Sequence, residues 1–151
     1  MIKYKDGDIL SATENVICHQ VNADGIMGGG LALQIANNYP NVENIYKAYC
    51  KVHKNNYEEV KGKHLYVEIT KNKIIANCFT QKPNFDTDYQ AINLCFTNIF
   101  KFCKDHNFSL AIPYKYGCGI ANGNWEEVET IIKHLAGLFD LNVVIYRLEE
   151  N

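Results

Sequence analysis

The sequence predicts an α/β protein, a three-layer α/β/α sandwich around a central mixed sheet of about six strands. Short β-rich runs alternate along the chain with longer segments whose apolar residues recur at three- and four-residue spacing. The run Asn15 to Val21 is nearly continuous in apolar content, as a strand covered on both faces requires, so it is expected at the centre of the sheet. A chain of 151 residues is the size of one domain and buries roughly 68–70% of its unfolded surface, enough for a single core. With no internal repeat, low-complexity tract or linker, residues 1–151 are read as one domain.

Taken in order, Ile2 to Tyr4 is a short strand, followed by the central strand. Gly29 to Asn38 reads as a helix with Leu31, Ala32 and Ile35 on one side, stopped by Asn37, Asn38 and Pro40. A second helix follows from Val42 to near His53. Leu65 to Ile69 and Ile74 to Phe79 are strands joined by Thr70-Lys71-Asn72-Lys73, an antiparallel hairpin in the middle of the chain. Tyr89, Ile92, Cys95, Phe96, Ile99, Phe102 and Cys103 give one apolar helix face. Leu110 to Pro113 is a further strand. Asn124 is placed to cap a fourth helix, with Glu127 three residues on and Val128, Ile131, Ile132 and Leu135 behind it, the pattern of a capping box. Asn142 to Arg147 closes the sheet.

A formal charge of -2 creates no overall field to attract a polyanion, so nucleic acid is not expected as a general partner and an anionic ligand must be held locally. Met1 to Leu10 carries Lys3, Lys5, Asp6 and Asp8 without an apolar run, which argues against a signal peptide. No stretch approaches the roughly 20 apolar residues of a membrane span. The six cysteines lack the paired short spacing of zinc sites, so no metal or other cofactor is expected. They read as reduced thiols and the location as cytoplasmic, although an even count also permits disulfides. A monomer is expected.

Ligands of open α/β sheets sit beyond the carboxyl ends of the strands, which directs attention to the loops after Val21, Phe79 and Pro113. The first, Asn22-Ala23-Asp24-Gly25-Ile26-Met27-Gly28-Gly29-Gly30, is a strand-to-helix turn whose glycines let backbone N–H groups approach a ligand at a helix N-terminus. The last, Tyr114-Lys115-Tyr116-Gly117-Cys118-Gly119-Ile120-Ala121, is a second glycine turn able to form an anion-binding nest. Either alone is also what a plain tight turn looks like; together they suit a pyrophosphate. Neither is a P-loop, and the first lacks the spacing of the dinucleotide fingerprint, which sets a nicotinamide-dependent oxidoreductase far behind.

Gly7-Asp8-Ile9, His19-Gln20-Val21-Asn22, Met27-Gly28-Gly29-Gly30-Leu31-Ala32 and Tyr116-Gly117-Cys118-Gly119-Ile120 resemble macrodomain motifs in macrodomain order, across nearly the whole chain. Within that superfamily the chain resembles the branch of ADP-ribose-1''-phosphate phosphatases and terminal ADP-ribose glycohydrolases. The resemblance implies ADP-ribose or ADP-ribose-1''-phosphate as partner. It makes Asp8, beside the Ile9 N–H, the acceptor for the adenine amino group, where turn chemistry alone would make it a turn aspartate. Asn22 would contact the distal ribose hydroxyls, against a reading as a local side-chain turn. Met27 to Leu31 and Tyr116 to Ala121 would line the ligand, with Phe79 and Thr80 at the intervening loop. Aromatic residues at strand ends are equally at home in a core, and Trp125 is read as packing.

His19 stands near the end of the central strand, where an imidazole could act as acid, base or nucleophile; a buried histidine satisfied by a carbonyl is the parallel reading. Asp24 would position water. Glycohydrolases of this branch use a lysine after the fourth strand and an aspartate after the second glycine loop. Those positions align here with Gln81, Lys82 following, and with Ala121. The expectation is therefore a phosphatase acting on ADP-ribose-1''-phosphate, with a non-catalytic ADP-ribose reader as the alternative and a protein glycohydrolase third.

Overall fold

The structure, a computed structural model, describes residues 1–148. Strands β1 (Ile2–Asp6) and β2 (Val16–Val21) precede helices α1 (Gly30–Asn38), α2 (Pro40–Val52) and α3 (Tyr57–Val60). Strands β3 (His64–Thr70) and β4 (Lys73–Phe79) form the hairpin, and a small arm of β5 (Gln81–Lys82) and β6 (Asp86–Thr87) leads into α4 (Tyr89–His106). Strand β7 (Leu110–Pro113), α5 (Trp125–Phe139) and β8 (Val143–Arg147) complete the order.

The main sheet has six strands in the order β1-β8-β7-β2-β4-β3. All neighbours run parallel except β3 and β4, so the hairpin in the middle of the chain forms an edge of the sheet. Strand β2 is central and buried along both faces save for partly covered Gln20, as its apolar run requires.

Each face of the sheet carries its own core. On one, α1, α2 and α3 bring Ile35, Val42, Tyr46, Cys50, Tyr57 and Val60 against Ile17, Val21, Ile75 and Phe79. On the other, α4 buries Ile92, Cys95, Phe96, Ile99, Phe100 and Cys103, and α5 adds Val128, Ile132 and Leu135. Phe102, expected on the buried face of α4, is half-buried at its edge against Tyr66. All six cysteines are free, five of them buried.

The helix ends follow local chemistry. Tyr39 ends α1, and Pro40 at the first position of α2 has no N–H to continue it, so α2 starts two residues earlier than the apolar pattern implies. Asn124 caps α5 by accepting from the Glu126 N–H at 2.9 Å; its partner is one residue nearer than in a capping box. The short α3 and the β5–β6 arm, too short for a period to repeat, are additions to the elements read from sequence.

Strand β2 pairs with β4 along its whole length, yet with β7 only at Val16–Leu110 and Ile17–Ala111. Pro113 has no N–H to extend the ladder, and beyond those two pairs the strands separate. From β2 the chain leaves over one face into α1, and from β7 over the other into α5. This is the switch point at which an α/β sheet opens a crevice.

Candidate functional site

A cavity of about 450 Å³ opens between β2 and β7. Its wall takes His19, Gln20, Val21 and Asn22 from β2, Ile26 and Gly28 to Ala32 from the first loop, Gln81 and Phe85 from the arm, and Pro113 to Gly117 with Gly119, Ile120 and Ala121 from the second loop. The volume is within the range of small-molecule sites.

The two glycine loops face each other across this cavity. A Cβ on Gly29 would lie 3.3 Å from the Cδ1 of Ile120. Among the described residues the amides of Gly28, Gly29, Gly30, Gly117, Gly119 and Ile120 donate to no protein acceptor. Lys115 is the one charged side chain among the described residues in the wall, and no carboxylate joins it. Unused N–H groups, a helix N-terminus and a single cation suit the cavity chemically to anionic oxygen. Ile26, Phe85 and Ile120, each exposed by 59–68%, form an apolar rim at its mouth.

Each loop is braced from outside. The Asn22 Oδ1 accepts from the Asp24 N–H at 2.9 Å, its Nδ2 donates to the Ile26 carbonyl at 3.0 Å, and the buried Tyr46 hydroxyl of α2 lies 2.7 Å from both Oδ1 and the Asn22 carbonyl. The side-chain turn weighed from sequence therefore exists, and it leaves one amide hydrogen of Asn22 for a ligand. In the second loop, the Thr87 hydroxyl donates to the Gly117 carbonyl and the Thr87 N–H to that of Ala121 at 2.9 Å. Gln20 ties the arm to β2 by donating to the Thr80 carbonyl at 3.1 Å.

His19 is 1% exposed. Its Nε2 lies 2.6 Å from the Oδ1 of Asn77, the neighbouring residue on β4, and Asn77 in turn donates from Nδ2 to the Leu65 carbonyl at 2.9 Å. Burial lowers the imidazole pKa against the opposing pull of Asn77, so the ring is neutral near pH 7 and suited to accept a proton rather than supply one. The carbonyl partner considered for a buried histidine is replaced by this amide.

Several expected ligand residues stand outside the cavity wall. Asp8 caps the turn Ile9–Ser11 by accepting from the Leu10 N–H at 3.0 Å, and Ile9 is buried in the core. Met27 and Phe79 are core residues, with Phe79 stacked between Tyr46 and Tyr49. Thr80 is buried with its hydroxyl 2.6 Å from that of Tyr116. Cys118 packs at the margin of the other core, and Asp24 is exposed. Gln81 and Ala121 do line the cavity, whereas Lys82 lines a separate polar cleft with Lys61, Asp86 and Asp88. Sequence reasoning did not single out Lys115, Ile26 or Phe85; a loop position alone gives no signal of which way such a side chain turns.

Comparison with known proteins places this geometry. The family model for the Macro domain matches residues 18–132. The DNA ADP-ribosyl glycohydrolase of Mycobacterium tuberculosis is 30% identical over 154 residues, covering 97% of this chain and 42% of that protein, so the chain spans less than half of that relative's length. The ADP-ribose 1''-phosphate phosphatase of Candida albicans is 24% identical over 161 residues, covering 95% of this chain and the full length of that protein. Among solved structures, the macrodomain of Mycobacterium tuberculosis DarG superposes with a TM-score of 0.84 at 30% identity, covering 97% of both chains.

Proposed function

Because this chain belongs to the macrodomain family, we propose that its cavity binds ADP-ribose and hydrolyses the terminal phosphate of ADP-ribose-1''-phosphate. The observation that carries the reading is the set of unused amides on two facing loops, with Lys115 beside them. A pyrophosphate presents oxygens to both sides, and each loop supplies N–H groups at no cost in rearrangement. Among the described residues no protein donor takes the Asp8 Oδ2, which is left for the adenine amino group, and Asn22 keeps one N–H for the distal ribose.

In the hydrolysis, a water oxygen bonds to phosphorus, the bond from phosphorus to the 1''-oxygen breaks, and the ribose oxygen leaves with a proton. The Gly28 to Gly30 amides meet the charge that develops on the phosphoryl oxygens. On this reading His19, a residue of the wall, takes the proton from water and passes it to the leaving ribose oxygen, while Asp24, expected to position that water, stands outside the wall. Gln81 and Ala121 stand where the glycohydrolase route needs lysine and aspartate, which supports phosphate release over cleavage of a protein ester. The absence of a carboxylate from the described cavity wall favours, as second reading, a protein that binds ADP-ribose without turning it over.

Calorimetry with ADP-ribose and adenosine, together with a phosphate-release assay on ADP-ribose-1''-phosphate, tests both readings. Binding of ADP-ribose well above adenosine with phosphate release supports the phosphatase; binding without release supports the reader. Equal affinity for adenosine removes the pyrophosphate cradle.

A further inference from the structure

The two edges of the main sheet differ. Strand β1 carries Lys3, Lys5 and Asp6, all exposed, and such charges keep an edge from pairing with another chain. Strand β3, at the opposite edge, has one formal charge, Glu68, and neither proline nor glycine. Among the described residues no strand pairs with its outer side.

The direction of the β3 backbone follows from its neighbour. The Ile74 N–H donates to the Asn15 carbonyl at 2.8 Å, so Ile74 turns its polar groups towards the β2 side. Alternation then turns Ile75 and Asn77 towards β3, where Val67 and Leu65 meet them, and the Phe79 N–H continues the row by donating to the Lys63 carbonyl at 3.0 Å. The N–H and C=O groups of His64, Tyr66 and Glu68 therefore point away from the sheet. The ladder becomes irregular between Glu68 and Thr70, which ends the usable edge at Glu68.

We propose that this edge joins two copies of the chain, antiparallel about a two-fold axis at Tyr66, into one continuous sheet. This register alone gives every outward residue a partner: Tyr66 meets the partner's Tyr66, and His64 meets the partner's Glu68. The three side chains share one face of the sheet, so an imidazole and a carboxylate stand opposite each other at both ends of the pairing. Glu68 is exposed and forms no ion pair among the described residues, which leaves its carboxylate for that contact. On the other face Leu65 meets the partner's Val67, apolar against apolar. The pairing also carries the partner's Ile69 towards a groove of about 270 Å³ at the start of β3, lined by Tyr49, Gly62, Lys63, His64, Leu94 and Asn98, with Leu94 exposed. A formal charge of -2 sets little repulsion between copies. One pair of edge strands is a small interface, so the dissociation constant falls between about 1 μM and about 1 mM. Sequence alone suggested a monomer, because which strand lies at an edge is settled only by topology. The pairing does not depend on what the cavity binds.

Sedimentation equilibrium from about 1 μM to about 1 mM tests the pairing, with amide exchange read residue by residue. The wild type is expected to pass from 17.2 kDa to twice that mass. As it does so, the amides of His64, Tyr66 and Glu68 are expected to exchange more slowly, and those of β1 to stay unchanged. Glu68→Lys sets a cation opposite the partner's His64 and is expected to weaken the dimer by about tenfold, because the two-fold doubles each lost pair. Glu68→Pro removes an N–H that bonds nothing within the single chain, and is expected to leave a folded monomer. If that variant does not fold, Glu68→Lys and the wild-type exchange decide. A wild type that stays at 17.2 kDa throughout leaves the edge to some other partner and overturns the proposal. So does a dimer whose affinity is unchanged in both Glu68 variants, or one whose β3 amides exchange as fast as in the monomer.

Discussion

Gly123 lies against the carbonyl of Gly117: its N–H donates to that oxygen at 2.8 Å, and a Cβ at Gly123 would come within 2.5 Å of the same atom. The second glycine loop is thereby drawn into a closed ring, with Gly117 in the left-handed region at a φ of +73°. Gly119, at the crown of the ring, has no such constraint; a Cβ there meets nothing within 4 Å.

The two glycines should therefore respond differently to substitution. Gly119→Val places its side chain in open space at the cavity wall, and should weaken ADP-ribose by more than tenfold with little change in melting temperature. Gly123→Ala forces the backbone apart and should cost about 1–3 kcal/mol, the range for overpacking. Calorimetry and thermal melts on both variants check this. Normal ADP-ribose binding by Gly119→Val would place the pyrophosphate elsewhere.

Asp8 combines a cap with a proposed adenine contact, and two substitutions separate them. Asp8→Asn keeps an acceptor for the Leu10 N–H but loses the anionic oxygen, so it should weaken ADP-ribose while the fold keeps its stability. Asp8→Ala should in addition cost about 1 kcal/mol of stability, as loss of an N-cap does. An unchanged dissociation constant in Asp8→Asn would leave Asp8 as a cap alone.

Two buried groups are expected to set the acid limb of stability. Burial alone would raise the Asp88 pKa, but the Ala91 N–H, the Tyr57 hydroxyl and Lys61 outweigh it and hold the carboxyl below its usual value. Its contribution is present above about pH 4, the unfolded pKa, and disappears as pH falls through the lower folded one. His19 acts in the same direction at higher pH. Its folded pKa is depressed, so below about pH 6.5 the unfolded chain gains a proton that the native ring refuses, and stability falls until the folded pKa is reached. Melting temperature measured from pH 8 to pH 3 should show both declines; His19→Gln should remove the upper one and Asp88→Asn the lower one. A variant whose curve parallels the wild type would clear that residue of the role.

On the phosphatase reading, the protein releases phosphate from ADP-ribose-1''-phosphate and little or no ADP-ribose from a modified glutamate. His19→Ala should lower turnover by roughly 10²–10⁴-fold, the span of a lost general acid or base, while ADP-ribose affinity falls by no more than about tenfold. Single-turnover phosphate release compares the two proteins directly. Turnover that survives the substitution would reduce His19 to a binding residue.

The sequence by itself determined the architecture, because burial on two faces leaves an unambiguous mark. The apolar run of Val16–Val21 and the three- and four-residue spacing along α4 are consequences of what the sheet and helices must hide, and periodicity reports that directly. It also pointed to the loops after β2 and β7, and the structure opens a cavity between them. What it could not carry is the direction in which a loop side chain turns and what it touches. Lys82 and Gln81 are neighbours, yet one lines a separate cleft and the other the cavity; Asp8 and Asn22 match motifs, yet local turns already hold the Oδ1 of Asp8 and both the Oδ1 and the Nδ2 of Asn22. The side chain of His19 is held by Asn77, 58 positions away, which is held in turn by the Leu65 carbonyl. Those choices belong to the tertiary structure, because a hydrogen bond between strands depends on register and amide orientation, and neither leaves a local pattern in the chain.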